Sequence, residues 1–124
     1  MTPYRAVVVA DPGELGRVRS GLRDWLHDEH ADETAIQELV LVVNEVVTNA
    51  IDHANVTDFI TVRCRRDGSR VTIEVADKGR WKEPDQLADS ELHGRGLQIV
   101  ETLAESLVIH AEPSGTTVSV TYCL

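Results

Sequence analysis

A carboxylate and an amide stand one helical turn apart in a stretch otherwise rich in β-branched residues. They are Glu45 and Asn49, within residues 38–54. Apolar residues recur at helical spacing through this stretch, which predicts an amphipathic helix. At about 100° per residue, Glu38 and Asp52 fall on the same polar side. A carboxylate can accept a proton and an amide oxygen can ligate a hard cation, but a solvated polar face is the alternative interpretation of this helix taken alone.

Three further motifs carry residue types suited to a nucleotide: Asp77-Lys78-Gly79, Gly94-Arg95-Gly96-Leu97 and Gly115-Thr116-Thr117. A buried aspartate at a strand end can accept a hydrogen bond from an adenine amino group, and leaving it unpaired costs about 1–3 kcal/mol. Glycine lets backbone approach a flat ring, and glycines at a helix start let N–H groups face phosphate oxygens. Each motif is weak alone, since Asp-x-Gly is most often a turn; together they are specific.

The elements that must position these motifs follow from the hydrophobic pattern. A strand is predicted over 4–9, and a helix starts at Asp11-Pro12 and ends near 27–30. The second helix is capped by Asp32 or by Thr34 with Gln37 and runs to about residue 54. The remaining predictions are a hairpin of strands 59–65 and 70–76, a loop over 77–93, a helix over 97–107, and strands over 108–110 and 117–122. This order predicts an α+β two-layer sandwich with a mixed, mainly antiparallel sheet and helices on one face.

Bulk composition narrows the class of protein. The 124 residues are expected to form a single domain, 1–124. A net charge of −9 argues against a nucleic-acid or anionic-membrane surface. No apolar run approaches the roughly 18 residues of a membrane span, and the first residues lack a signal-peptide layout, so a cytoplasmic location is expected. Cys64 and Cys123 have no metal-ligand spacing and are predicted to be buried free thiols.

The four motifs, in this order, resemble those of the GHKL (Bergerat-fold) superfamily of ATP-binding domains. Within it, the chain is most similar to anti-sigma factor serine kinases of the RsbW/SpoIIAB type. Residues 44–54 resemble the N-box, 77–79 the G1 box, 94–97 the G2 box and 115–117 the last motif. The likeness spans nearly the whole chain.

This resemblance implies ATP as substrate and Mg²⁺ as the accompanying metal. Glu45 would be the catalytic base, Asn49 the Mg²⁺ ligand and Asp77 the adenine acceptor, with residues 80–95 as a lid. The remaining nucleotide-site residues would be Gly79, Gly94, Arg95, Gly96, Leu97 and Thr117. Glu38 and Asp52 would be ordinary surface residues.

The resemblance also implies partners. The chain would phosphorylate an anti-anti-sigma (STAS) protein and bind a sigma factor, with no direct contact to nucleic acid or membrane. Arg19 matches a partner-docking position, although a solvated face is the alternative for it and for Arg17 and Arg23. A homodimer, and a place within a larger signalling chain, are further implications. The rival hypotheses are a non-catalytic protein-binding module with weak or structural nucleotide binding, and a sensor-histidine-kinase catalytic domain.

One position departs from the family pattern. The G1 box usually continues to a second glycine, where this chain has Trp81. Trp81 would anchor the lid through apolar contacts or stack near the nucleotide, and the departure puts lid geometry in question more than ATP binding. His53 is expected to be structural, since the N-box base is Glu45.

Overall fold

The computed structural model describes residues 2–53, 59–77 and 95–124. In chain order the elements are β1 (Tyr4–Val9), α1 (Leu15–Asp28) after a 3-10 turn at Pro12–Glu14, α2 (Glu33–His53), β2 (Phe59–Asp67), β3 (Arg70–Asp77), α3 (Arg95–Leu103), β4 (Ser106–Glu112) and β5 (Gly115–Cys123). Within these residues the predicted succession of strands and helices is confirmed, whereas the predicted loop lies outside them apart from Asp77.

The strands form one five-stranded sheet in the order β1-β2-β3-β5-β4. Every strand pairing in the described residues is antiparallel, so the expectation of a mixed sheet was wrong in that detail. The reason lies between β1 and β2, where the chain passes through two helices. It reverses on entering α1, again on entering α2 and a third time on entering β2, which therefore returns antiparallel to β1.

Aspartates cap the 3-10 turn that leads into α1 and the start of α2. Asp11 Oδ1 accepts from the Gly13 amide at 3.0 Å, and Asp32 Oδ1 accepts from the Ala35 amide at 2.8 Å. Asp32 is thus the cap of α2, and the capping-box alternative on Thr34 is not used. Satisfying these free N–H groups contributes typically about 1 kcal/mol to a helix.

The apolar side of α2 forms the centre of the core. Its largest contributors are no more than 1% exposed: Ile36, Leu39, Val42, Val43, Val46 and Val47. By length and composition alone, Glu33–Asp52 is apolar enough to cross a membrane, with a mean hydropathy of 1.2 over an 18-residue window. Here that side of the helix packs against the inward side chains of the sheet, such as Ile60 and Ile73, which are also fully buried.

The hairpin of β2 and β3 turns at Gly68, whose φ of +62° favours glycine. Along β3, Val71, Ile73 and Val75 alternate inward with solvent-side residues, as the period-two pattern predicts. The same alternation buries Asp77, the last residue of the strand.

The two cysteines differ in environment. Cys64 is buried, and burial raises the pKa of its thiol to about 12. Cys123 is free but exposed, so the prediction that both thiols are buried was wrong for this residue. It occupies the final, outward position of β5, where the alternation that buries Tyr122 turns the next side chain to solvent.

Candidate functional site

The direction of α2 across the sheet decides which of its residues can meet the strand-end motifs. The Tyr122 hydroxyl, near the end of β5, donates to Glu38 Oε2 at 2.8 Å. From there β5 leads back about 20 Å to residue 116 at about 3.3 Å per residue. α2 runs in the same direction, because its Asn44 bonds to α1 close to the point where Arg17 of α1 bonds to the Val7 carbonyl, and Val7 lies level with Thr117 across the sheet. From Glu38, α2 advances about 17 Å to Asn49 at 1.5 Å per residue. The second half of α2 therefore lies at the end of the sheet that holds Asp77 and the start of β5.

That contact also corrects the expectation for Glu38. Its side chain is half-buried and bonded across the two layers instead of lying at the open surface. Burial, and then the hydrogen bond to Glu38, raise the pKa of Tyr122 to about 12. Asp52, by contrast, is exposed as expected.

Two polar residues are buried side by side at the other end of the sheet. Asp77 is 6% exposed and Thr116 is 1% exposed, and the register places them directly opposite each other on β3 and β5. Thr116 Oγ1 has no hydrogen-bond partner among the described residues. A buried hydroxyl without a partner costs about 1–3 kcal/mol, so a polar group arriving from a ligand would recover that energy. A carboxylate beside a hydroxyl offers both acceptor and donor to a heterocycle with an amino group, such as adenine.

Thr117, the threonine named from the sequence motif, lies on the other face of the sheet. It pairs with Ala76 and His110, while Thr116 shares the inward face with Val118 and Val120. The structure thus favours Thr116, which sequence analysis missed, as the companion of Asp77. The strand alternation could have found it, because counting back by twos from the buried Val120 arrives at 116.

Glu45 on α2 contacts the first turn of α3. A Cβ added at Gly96 would overlap Glu45 Oε2 and would lie 3.3 Å from its Cδ. Leu97, the next residue, is 3% exposed and holds this turn against the domain. The N-box carboxylate and the glycine motif at the start of α3, distant in sequence, are therefore neighbours in space.

Asn49 follows Glu45 by one turn and is half-buried. Within the described residues, no group of three His, Cys, Asp or Glu side chains could hold a metal ion. That arrangement is compatible with Mg²⁺, which commonly takes one or two protein ligands and completes its shell with phosphate oxygens and water.

Several predicted site residues lie outside the described residues. They are Gly79, Gly94, Trp81 and all of the lid except its last residue, Arg95. Arg95 begins α3. The roles assigned to the residues outside the described ranges stay predictions.

Arg19 links α1 to the same region. Its Nη1 donates to Asn44 Oδ1 at 2.8 Å, next to Glu45 in the chain. Arg17 instead bonds to Glu14 and to the Val7 carbonyl, and Arg23 bonds to Glu33. Of the three arginines on this helix, Arg19 is the one bonded to the N-box.

A helix that presents a carboxylate and an amide above the end of an antiparallel sheet, beside a buried Asp–Thr pair, defines a nucleotide-binding α+β domain. A sequence model of the histidine kinase-like ATPase domain matches residues 8–122. The chain belongs to the histidine kinase-like ATPase domain family.

Individual relatives show which members of this family the chain is similar to. The chain is 31% identical over 98 residues to the anti-sigma F factor of Thermoanaerobacter sp., covering 69% of this chain and 68% of that protein. It is 32% identical over 135 aligned positions to the serine-protein kinase RsbW of Bacillus licheniformis, covering 90% and 80% respectively. The resemblance to anti-sigma factor kinases of the GHKL superfamily is thereby confirmed.

A solved structure of the RsbU and RsbW domains of a Mycobacterium tuberculosis protein superposes with a TM-score of 0.80 at 28% identity. It covers 100% of this chain, which spans 33% of that longer protein. The predicted α+β sandwich with the Bergerat topology is confirmed by this match.

Proposed function

We propose that this chain is a cytoplasmic, ATP-dependent protein serine kinase that phosphorylates an anti-anti-sigma (STAS) protein and binds a sigma factor. The observation that carries the proposal is the juxtaposition of the buried Asp77–Thr116 pair with the end of α2 that bears Glu45 and Asn49. An anti-sigma F factor and a serine-protein kinase RsbW among the relatives support the partner-switching role.

The base of the nucleotide is proposed to lie against β3 and β5. Asp77 would accept a hydrogen bond from the adenine amino group, and the Thr116 hydroxyl would gain the partner that it lacks among the described residues. Guanine presents a carbonyl at the position of that amino group, so two acceptors would face each other. The pair therefore favours ATP over GTP.

Phosphoryl transfer is proposed to depend on Glu45. Its carboxylate would accept the proton of the substrate serine as the serine oxygen bonds to the γ-phosphorus and the bond to ADP breaks. Asn49 would hold Mg²⁺, which neutralises charge on the phosphate oxygens. No covalent enzyme intermediate is needed, because positioning and electrostatics supply the catalysis in reactions of this kind.

Arg19 is proposed to lie in the surface that receives the protein partners. It is exposed on α1 and donates a hydrogen bond to Asn44, the first residue of the N-box. Arg19→Ala should weaken sigma-factor and STAS binding, whereas Arg23→Ala, on the same helix but paired with Glu33, should not. Equal losses would argue against a specific docking role for Arg19.

The decisive test of nucleotide binding is calorimetry with Mg·ATP on the wild type and Asp77→Asn. The variant keeps the size of the side chain but replaces one acceptor oxygen with a donor, and we expect at least a roughly 100-fold loss of affinity, since a buried site built for one hydrogen-bond pattern rejects its mismatch strongly. Asp52→Asn is the matched control, because Asp52 is exposed, and should bind as the wild type does.

Incubation with labelled ATP and STAS proteins from the same genome then tests the reaction. Acid-stable phosphoserine on one of them supports the proposal. Acid-labile phosphate on histidine would instead indicate a sensor-kinase domain. A wild type that binds no ATP would support a non-catalytic protein-binding module.

Sedimentation of the protein alone tests the expected homodimer.

A further inference from the structure

Gly96 lies in the first turn of α3, where backbone conformation gives no reason for glycine. The glycines with positive φ in the described chain are Gly68 and Gly115, whereas Gly96 is helical. Glycine disfavours a helix relative to alanine because it loses more backbone freedom on folding. A residue with a Cβ would therefore be favoured at position 96 unless another group filled the space.

Glu45 fills that space. A Cβ at position 96 would overlap Glu45 Oε2 and would lie 3.3 Å from Cδ and 3.6 Å from Cβ of the same side chain. The overlapped atom is the end of a flexible side chain, so a larger residue at 96 would displace the carboxylate and leave the backbone in place.

We propose that Gly96 is a positioning residue for Glu45: its missing side chain lets the carboxylate lie against the first turn of α3. The inference rests on the proposed function, in which Glu45 is the base. Proton transfer requires donor and acceptor atoms within about 2.6–3.2 Å, and a misplacement of about 1 Å can cost on the order of 100-fold in rate. The role differs from phosphate binding by the G2 box, for which glycine would serve close approach of the ligand.

The two roles predict different kinetics for Gly96→Ala. If Gly96 positions Glu45, single-turnover phosphorylation of the STAS substrate should slow by at least about 10-fold while the ATP dissociation constant stays within about 3-fold. The thermal midpoint should not fall, because alanine is the better helix former. An affinity loss as large as the rate loss would overturn the inference in favour of phosphate approach, and an unchanged rate would overturn it outright.

A shortened carboxylate provides the rescue. Glu45→Asp withdraws the carboxylate by one methylene, so in that background Gly96→Ala should cost no more than about 2-fold in rate. An equal cost in both backgrounds would show that the two residues act independently and would overturn the inference.

Two measurements separate this inference from the proposed function. Crystal structures of the wild type and Gly96→Ala should show the Glu45 carboxylate displaced, and an unmoved carboxylate would overturn the inference whatever the activity. A wild type inactive toward every STAS protein would overturn the proposed function instead. Gly16→Ala is the control: this helical glycine of α1 has room for a Cβ, 3.8 Å from Arg19 Nη2, and the substitution should leave the rate unchanged.

Discussion

Strand β5 carries a polar side chain that faces the core at each end of the domain, and the two have different surroundings. At one end the Tyr122 hydroxyl of β5 donates to Glu38 of α2. At the other end, Thr116 of β5 lies buried beside Asp77, and its hydroxyl has no partner among the described residues. The Tyr122 hydroxyl is thus paired within the protein, whereas the Thr116 hydroxyl, unpaired among the described residues, can be satisfied by a ligand.

This difference distinguishes polar side chains that bond within the fold from polar side chains that are available to a ligand. A buried hydroxyl that has a partner stabilises the fold or costs it little, while a buried hydroxyl that lacks one lowers stability until a ligand binds. Polar residues on one face of α2 therefore have different tasks according to the part of the sheet beneath them. Substitutions at the two ends of the sheet test that division.

The largest expected effect is on catalysis at the functional end. Glu45→Ala should retain ATP binding but lower phosphorylation of the STAS substrate by roughly 10²–10⁴-fold, because the general base is lost. Glu38→Ala is the matched control on the same helix: it should lower stability while the rate per folded molecule stays the same. Unchanged turnover by Glu45→Ala would remove Glu45 from the mechanism.

The next effect distinguishes two adjacent threonines. Thr116→Val should weaken ATP binding by about 5- to 10-fold, the value of a typical hydrogen bond. It should not lower the stability of the free protein, since the hydroxyl it removes has no partner within residues 2–53, 59–77 and 95–124. Thr117→Val, on the opposite face, should leave ATP affinity unchanged. Calorimetry with both variants decides whether Thr116 or Thr117 contacts the nucleotide. The reverse result would assign that contact to Thr117.

A smaller effect is expected at the structural end. Tyr122→Phe deletes the hydroxyl that bonds to Glu38 and should lower the free energy of unfolding by about 1 kcal/mol. ATP affinity should not change. Denaturant titration measures the first quantity, and an accompanying loss of ATP affinity would contradict the division between the two ends.

The smallest effect appears in alkaline solution. The folded-state pKa of Tyr122 is raised from 10.0 to about 12, so its contribution to stability is complete below pH 10 and is lost as pH rises toward 12. The wild type should therefore lose more stability over this interval than Tyr122→Phe does. The unfolding free energy of both proteins is measured over this pH interval. Equal losses of stability would show that the loss does not come from ionisation of Tyr122.

Local pattern predicted most of the fold. Alternation fixed the inward faces of β3 and β5, and helical spacing identified the core face of α2, because side-chain direction follows directly from the two backbone periods. The confirmed likeness to anti-sigma factor kinases rests on motifs that are visible as residue strings. The cap of α2 could be narrowed only to Asp32 or Thr34, since either side chain can reach a free N–H of the first turn.

Contacts between elements decided what local pattern could not. Glu38, Glu45 and Asp52 share one polar face of α2, yet one bonds to Tyr122, one contacts Gly96 and one is exposed. The contacts of each side chain depend on which element packs against its turn of the helix. The hydrophobic period of α2 carries no information on the position of β5 or α3. The sequence by itself determined the elements, their inward faces and the family, because these follow from local residue patterns. The tertiary structure decided the register that sets Thr116 opposite Asp77, and the approach of α3 to α2 in which Gly96 makes room for Glu45.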